Sequence, residues 1–357
     1  MLSFTFLALT VLLSACAGGA NAAPSSYPGM TANQDTVFVA YNAHIYALNL
    51  QSGAVRWLFP SESNAQISFY ASPVLTADGK LVAGAYNHVL YGIDPATGQE
   101  LWSFKEAGDR YIAPALVYNG LIFAPNADGN LYAIEIQNGN TAKRLWTFET
   151  GGELWATPST DPQCNCIFLP SMDHHLYSID AQNGSQNWKT EDLGGAIVGK
   201  PAYGPDRTLY LGTFNREMLA IDATNGQIRW RVPTQGWVWG GPALVDGKLY
   251  FGDLDGYFYA LDAANGELVW QNAIQADGPI AETPIIDGTD IYFTTRAGSV
   301  YSANMDGKAT SKNIGGTLYT APLRVGDLLL VATTNNQKFL IANDLNINEK
   351  WFYPPKE

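Results

Sequence analysis

A short pattern returns along nearly the whole chain. Its clearest copy, residues 258–270, reads two aromatic residues, a small and an aliphatic residue, Asp262, three spacers, Gly266 and, four positions later, Trp270. Close copies occupy residues 90–102, 176–188 and 218–230, and looser copies occupy 45–57, 131–146, 300–312 and 339–351. The tryptophans of the first six copies lie 40 to 45 residues apart, a repeat length typical of β-propellers.

Prolines recur with the same period, and each opens a short apolar segment: Pro73, Pro114, Pro158, Pro201, Pro242, Pro284 and Pro322. Turn pairs such as Asp246-Gly247 and Asn265-Gly266 follow in order and supply the positive φ angles of tight hairpins. One repeat therefore predicts four antiparallel strands, for example 242–245, 248–252, 258–262 and 268–271. Eight such repeats predict an all-β, eight-bladed propeller with no helix in the mature chain.

Seven tryptophans hold the last position of the repeat, and the remaining copy has Lys312 there. An indole ring buries roughly 150–250 Å², which is worth about 4–6 kcal/mol gross. We expect these side chains to pack between neighbouring blades: Trp57, Trp102, Trp146, Trp188, Trp230, Trp270 and Trp351.

The composition fits a packed β protein. Hydrophobic residues make up 46% of the chain, charged residues 15%, and there are 35 glycines. The net charge of −13 argues against nucleic acid or an anionic bilayer as an electrostatic partner. The unbroken repeat predicts a single propeller domain over residues 28–357, which we expect to be monomeric.

The first residues predict export. An apolar run over 2–13, too short for a membrane span, ends in Leu13-Ser14-Ala15-Cys16, which resembles a lipoprotein lipobox. We therefore expect a signal peptide over 1–15, lipidation of Cys16 and a flexible tether over 16–27. The alternative is an ordinary signal peptide with a chance cysteine. Because residues 1–4 carry no Lys or Arg, the sequence also leaves open that the true start lies upstream of Met1.

The remaining cysteines, Cys164 and Cys166, lie in the predicted turn and early second strand of blade four. Export permits a disulfide, but the one-residue spacing strains it, so a free pair and a disulfide both stay open. No metal site is predicted. The histidines occupy turns between second and third strands, either as polar turn residues or as a metal-binding or proton-sensing cluster: His44, His88, His174 and His175.

A candidate binding face follows from the tryptophans that lie outside the repeat, Trp155, Trp237 and Trp239. All three lie in connections between blades. Counting back three residues from each inner-strand proline gives Tyr70, Tyr111, Trp155, Val198, Trp239, Ala281 and Tyr319. Repeat symmetry places these positions around one mouth of the central channel, on the same face as the histidine turns, with Glu282 and Lys200 as the charged lining residues. The aromatic rings either plug the channel or form a stacking surface for a ligand or partner segment.

The repeat Ala-x-Asp-x-x-x-Gly-x-x-x-Trp, present at 220–230 and 260–270, resembles the quinoprotein-type propeller repeat. Together with the lipobox, it makes the chain similar to the BamB family of outer-membrane assembly lipoproteins. The resemblance implies a non-enzymatic scaffold, anchored at the periplasmic face of the outer membrane and docked to the insertase that folds β-barrel proteins. Residues 191–196 lie where that family has its partner-binding loop, but they lack its Leu and Arg motif, so no contact residue is assigned.

Two alternatives remain. One is a lipid-anchored module on the cell surface that binds a glycan, a peptide or another envelope protein, which is the location expected in a cell with one membrane. The other is an enzyme similar to pyrroloquinoline quinone dehydrogenases, which implies calcium, the quinone and an adjacent Cys pair. Here Asn165 interrupts the pair, and Glu282 has no general base identified beside it. We therefore predict no catalytic residue and no cofactor.

Overall fold

Residues 26–354, the part of the chain that this computed structural model describes, form eight four-stranded antiparallel sheets arranged as the blades of a β-propeller. The predicted fold class is confirmed. The strands of every blade follow chain order from the channel outward. First strands of adjacent blades contact each other, as β1 does β29 and β17 does β21 in the numbering below, which places them around the axis.

The first four blades have these strands. Blade one comprises β1 Gly29–Ala32, β2 Thr36–Tyr41, β3 His44–Asn49 and β4 Val55–Phe59. Blade two comprises β5 Val74–Leu75, β6 Leu81–Gly84, β7 Leu90–Ile93 and β8 Glu100–Phe104. Blade three comprises β9 Leu116–Tyr118, β10 Leu121–Pro125, β11 Asn130–Gln137 and β12 Thr141–Glu149. Blade four comprises β13 Ser159–Asp161, β14 Cys166–Pro170, β15 Leu176–Asp180 and β16 Gln186–Lys189.

The last four blades continue the same order. Blade five comprises β17 Ala202–Tyr203, β18 Thr208–Thr213, β19 Glu217–Asp222 and β20 Ile228–Pro233. Blade six comprises β21 Ala243–Val245, β22 Lys248–Gly252, β23 Tyr257–Asp262 and β24 Ile274–Gln275. Blade seven comprises β25 Ile285–Asp287, β26 Asp290–Thr294, β27 Ser299–Asn304 and β28 Ala309–Asn313. Blade eight comprises β29 Leu323–Val325, β30 Leu328–Ala332, β31 Leu340–Asn343 and β32 Glu349–Tyr353.

The core is divided among the joints between blades. Each of the eight apolar clusters within residues 26–354 takes side chains from two adjacent blades. At the joint that closes the ring, Val37 and Leu48 of blade one pack with Leu330 and Phe339 of blade eight. Among the described residues, no strand is exchanged between these two blades. The ring therefore closes through side-chain packing and side-chain hydrogen bonds, such as that from Tyr41 to Asn336.

The geometry of one hairpin explains the repeat. In blade five, Ala220 pairs with Trp230 across β19 and β20, and the strand bulges between Ala220 and Ile221. The small residue thus leaves room for the indole beside it. The Asp222 carboxylate accepts a hydrogen bond from the backbone nitrogen of Thr224 at 2.8 Å, which holds the turn after β19.

The glycine of the repeat lies against the tryptophan of the preceding blade. Gly226 has a φ of +76°, and a Cβ there would lie 2.7 Å from Cε3 of Trp188. Only glycine meets both conditions, the left-handed backbone and the contact with an indole face. The indole nitrogen of each of five tryptophans donates to a carbonyl of the next blade at 2.9–3.1 Å: Trp57 to Pro95, Trp188 to Ala223, Trp230 to Ala263, Trp270 to Met305 and Trp351 to Leu50.

Trp102 and Trp146 depart from this arrangement. Both lie in the clusters between their own blade and the next. Trp146 contacts Gly184, but its indole nitrogen has no hydrogen-bond partner within residues 26–354. Trp102 instead covers Gly92 of its own blade, where an added Cβ would lie 2.0 Å from the indole. The long β11–β12 hairpin moves the glycine of blade three out of its reach.

Three local findings complete the fold. A disulfide links Cys164 and Cys166 in the β13–β14 turn, which answers the alternative left open by the sequence. Ser26 and Tyr27, which we assigned to the tether, already contact the propeller: Ser26 is hydrogen-bonded to Asn42, and Tyr27 packs on Tyr70. Cys16 lies outside the described residues. Over residues 26–354 there is no helix of the length and apolarity needed to cross a bilayer.

Candidate functional site

One end of the channel opens into a cavity of about 530 Å³. Every connection between blades contributes to its wall, so the cavity is centred on the propeller axis. Five of the predicted site residues line it: Tyr70, Trp155, Trp239, Glu282 and Tyr319. The same inner strands line a second cavity of about 390 Å³, and Lys200 and Thr283 belong to both walls. The two cavities therefore meet at these two side chains.

Tyr111 does not lie at the mouth, and the prediction for this residue is wrong. It is 1% exposed and packs in the core between blades two and three. Its backbone nitrogen bonds to Ala85, as that of Leu154 bonds to Asn126 and that of Ile197 to Ser171. Leu154 and Ile197 are core residues one position before the mouth residues, so this connection is shifted by one residue. A shift of one residue turns a side chain to the opposite side.

The sequence contained a signal for this shift. Four residues before the inner-strand proline, the other connections carry apolar residues: Phe69, Leu154, Ile197, Val238, Ile280 and Leu318. The connection to blade three has Arg110 at that position. A charged residue in a core position indicates that the register has moved, and in the structure Arg110 and Ile112 face the cavity.

Trp237 lies outside the cavity, on the outer surface of the same face. Its ring stacks on Phe214 at 5.1 Å between centroids, and 46% of the residue is exposed. Phe214 also contacts Trp239, with ring centroids 5.4 Å apart. These two rings, Phe214 and Trp237, form a surface that we call the outer aromatic patch.

A closed circuit of side-chain contacts surrounds the cavity mouth. We call this circuit the mouth ring, and its members are Tyr27, Tyr70, Tyr86, Arg110, Glu153, Trp155, Trp239, Arg296 and Tyr319. Tyr86 stacks on Tyr70 at 3.9 Å, Tyr70 meets Tyr27 edge-on at 5.6 Å, and Tyr27 lies 4.2 Å from Tyr319. Tyrosine rings thus form one half of the circuit.

Charged groups and indoles form the other half. The Arg296 guanidinium lies 5.0 Å from the Tyr319 ring and 5.2 Å from that of Trp239, in the range of cation–π contacts. Trp239 lies 6.4 Å from Trp155, whose indole nitrogen donates to Glu153 at 2.6 Å. Arg110 closes the circuit, because it reaches Glu153 at 3.4 Å and lies 5.7 Å from the Tyr86 ring.

Five members of this ring were not predicted from the sequence: Tyr27, Tyr86, Arg110, Glu153 and Arg296. Tyr86 and Arg296 occupy the same place in their blades, because the backbone nitrogen of each bonds to the preceding connection, at Ser68 and at Pro279. Phe214 holds the equivalent position in blade five and bonds to Ala196. Comparing equivalent positions in the turns between second and third strands would have identified Tyr86, Phe214 and Arg296.

Hydrogen bonds between neighbouring segments fix the mouth in place. Connections between blades donate backbone N–H groups to a turn carboxylate of the next blade: Gly108 to Asp128 at 2.7 Å, Gly151 to Asp173 at 2.9 Å and Gly236 to Asp253 at 2.8 Å. A tyrosine hydroxyl donates to each of the same carboxylates, from Tyr132, Tyr177 and Tyr259. The face is therefore built rigidly from connections and turns together.

Close backbone contacts bring two charged residues to the floor of the cavity. A Cβ at Gly240 would lie 2.5 Å from the carbonyl carbon of Glu282, and one at Gly241 would lie 2.2 Å from the carbonyl oxygen of Lys200. The glycine pair thus lets the segments carrying Lys200 and Glu282 approach on either side of it. Neither side chain forms a hydrogen bond or salt bridge within residues 26–354.

Burial sets the protonation of these groups. Glu282 lines the cavity and is only partly exposed. This burial raises the pKa of its carboxyl to about 8, although Arg296 acts in the opposite direction. Burial also lowers the pKa of the Lys200 ammonium. At pH 7 most of the Glu282 carboxyl is therefore protonated, and Lys200 and Arg296 are the charged groups of the floor.

The histidines show no common site. His44 bonds to Pro60 and Ser63, and His174 pairs with Asp192. Within residues 26–354 no group of three or more His, Cys, Asp or Glu side chains is placed to bind a metal ion. The mouth is suited to binding a ligand or a partner segment, because it combines flat rings with cationic groups.

The fold and its Trp–Gly repeat define a propeller of the quinoprotein-type repeat class. A family model described as outer membrane protein assembly factor BamB matches residues 18–150 and 172–351, and the chain belongs to this family. The residues between the matched parts include Glu153 and Trp155 of the mouth ring.

Solved structures agree on the fold. The crystal structure of BamB from Moraxella catarrhalis superposes with a TM-score of 0.72 and 18% identity, over 88% of this chain and 92% of that chain. The computationally designed Ika8 protein superposes with a TM-score of 0.75 and 14% identity, over 90% of this chain and 96% of that chain. The comparison with curated proteins gave no match.

Proposed function

We propose that this protein is a non-enzymatic scaffold, lipid-anchored at the periplasmic face of the outer membrane, that assists the assembly of β-barrel proteins through protein contacts. The observation that carries the proposal is the family match, which covers residues 18–150 and 172–351. It is supported by a mouth face that offers aromatic and arginine side chains, the residue types enriched at protein interfaces.

The outer aromatic patch is the docking surface that we assign to this role. Loop 191–196, the position of the family's partner loop, offers no apolar anchor, because Leu193 is fully buried and Glu191 is paired with Arg231. Trp237 lies on the same face and is 46% exposed. An exposed indole beside a polar rim is the usual form of an interface anchor.

The test is a pull-down of the tagged, lipidated protein from native envelopes in mild detergent, with mass spectrometry of the captured proteins. We expect the wild type to recover a barrel-assembly insertase, and Trp237→Ala to lose it. Leu268→Ala is the matched control, since Leu268 is 52% exposed but belongs to the β23–β24 connection on the outer side of blade six. Absence of the insertase from the wild-type sample contradicts the scaffold role.

The mouth cavity favours a second candidate, a lipid-anchored binding module for a glycan, a peptide or another envelope protein. Its aromatic wall is the observation that supports it. In the same pull-down this candidate predicts a different envelope component in place of the insertase, and Trp155→Ala combined with Trp239→Ala would release that component without unfolding the propeller.

A further inference from the structure

The floor of the mouth cavity holds two cations that no carboxylate of the described residues pairs with. Arg296 is held between the rings of Trp239 and Tyr319, and its Nε atom is buried without a hydrogen-bond partner within residues 26–354. Lys200 lines the same cavity. Arg110 differs, because Asp109 and Glu153 both pair with it. A buried donor without a partner is costly, so the Arg296 guanidinium leaves a binding capacity unused, and the exposed Lys200 ammonium adds a second positive charge beside it.

The nearby acid does not cancel this charge. Glu282 lines the cavity with Lys200 and Arg296, and its burial keeps most of the carboxyl protonated at pH 7. The floor is thus positive inside a protein whose net charge is −13. Such a focus of positive charge selects an anionic group and opposes a metal ion.

The wall above the floor is made of flat rings. Trp155 and Trp239 stand together at 6.4 Å between centroids, and Tyr70 and Tyr319 face the same space. Aromatic faces bind other flat or apolar groups by stacking and dispersion. The volume, about 530 Å³, is that of sites for small organic ligands, which range over roughly 300–1,000 Å³.

We propose that the mouth cavity binds a small organic acid in which a carboxylate is attached to a flat ring. Lys200 and Arg296 bind the carboxylate, and Trp155 and Trp239 bind the ring. A planar guanidinium matches a carboxylate with two parallel hydrogen bonds, which the terminal Nη groups of Arg296 can supply. The site does not depend on the scaffold role, and its chemistry differs from the calcium and quinone site that the dehydrogenase resemblance implies.

The experiment is calorimetric titration of the purified propeller with 2-naphthoate, with 2-naphthamide as a neutral probe of equal shape. We expect naphthoate to bind at least tenfold more tightly than naphthamide. A third probe, 2-naphthyl phosphate, tests the nature of the anion. Tighter binding of the phosphate than of naphthoate overturns the assignment of a carboxylate, and equal binding of naphthoate and naphthamide overturns the role of charge.

Variants locate the site. Arg296→Gln and Lys200→Met are each expected to weaken naphthoate binding at least tenfold and to leave naphthamide binding unchanged. Arg56→Gln is the matched control, because Arg56 pairs with Asp35 on the outer strand of blade one, away from the mouth. Melting temperatures are measured for every variant, and Lys200→Arg, which retains the charge, should retain binding if Lys200→Met unfolds. Unchanged naphthoate binding in folded Arg296→Gln overturns the proposal.

Discussion

The ammonium nitrogen of Lys312 in blade seven lies 2.9 Å from the carbonyl oxygen of Ile347 in blade eight. At five other joints of the ring an indole N–H makes this bond to the next blade. Ile347 has a φ of 60° in a turn where other blades have glycine. Blade seven also lacks the bulge, so Ser302 pairs with Thr310, and Lys312 pairs with Val300, two residue pairs further along. A long cationic side chain thus replaces an indole that the hairpin does not present.

Removal of this bond should weaken the joint between blades seven and eight. We expect Lys312→Met to lower the free energy of unfolding by roughly 0.5–1.5 kcal/mol, the net value of one hydrogen bond. Lys308→Met in the same hairpin is the matched control, since its side chain is also exposed. The measurement is the urea midpoint of each variant, and equal midpoints would show that the bond contributes nothing.

A repeat tryptophan and a surface tryptophan should differ in their effect on stability. Trp230 packs between blades five and six and donates to Ala263, so we expect Trp230→Ala to cost about 3–5 kcal/mol through the cavity it leaves. Trp237→Ala should cost less than about 1 kcal/mol, because that ring is 46% exposed. Chemical denaturation of both variants checks this, and equal losses would contradict the assigned roles.

Glu282 should make stability depend on pH. Folding raises its pKa from 4.5 to about 8, so the folded protein holds the proton more tightly than the unfolded chain. The contribution of this group is therefore favourable at low pH and is lost as pH rises from about 4.5 to about 8. We expect the melting temperature of Glu282→Gln to rise relative to that of the wild type as pH increases across this window. The corresponding difference in the free energy of unfolding is on the order of a few kcal/mol at most.

The control for this measurement is Glu267→Gln, in the exposed turn between β23 and β24. Its melting-temperature difference from the wild type should stay constant with pH. A constant difference for Glu282→Gln as well would mean that the carboxyl ionises in the folded protein as it does in the unfolded chain.

Lipidation of Cys16 remains a prediction from the lipobox. We expect Cys16→Ser to move the protein from the membrane fraction to the soluble fraction after a high-salt wash, because no acyl chain can then be attached. The comparison is with Cys164→Ser, which leaves the lipobox intact. A Cys16→Ser protein that still sediments with the membranes would refute the lipid anchor.

The sequence predicted most of the fold because the repeat fixes local geometry. Asp222, Gly226 and Trp230 each have one structural task, and all three lie within one hairpin and its neighbour. The number of blades and the position of the channel mouth followed from counting such units.

The mouth itself was less predictable, because it depends on contacts between distant segments and on single-residue register. Tyr111 and Ile112 exchange core and mouth positions through a shift of one residue. Tyr27 meets Tyr319 from the opposite end of the chain, a contact that no local pattern predicts. The disulfide also could not be chosen, since the spacing of Cys164 and Cys166 permits both states.

The joint between blades eight and one has a mechanical consequence. Trp351 docks on Leu50, and the two blades share an apolar cluster, but within residues 26–354 no strand of one blade pairs with a strand of the other. A pulling force applied at the two ends of the chain would therefore act first on this joint and part side-chain contacts, while the hydrogen-bonded ladders inside all eight blades stay intact. Under load the propeller should therefore open first at the joint between blades eight and one, and then joint by joint, before strands separate within the blades.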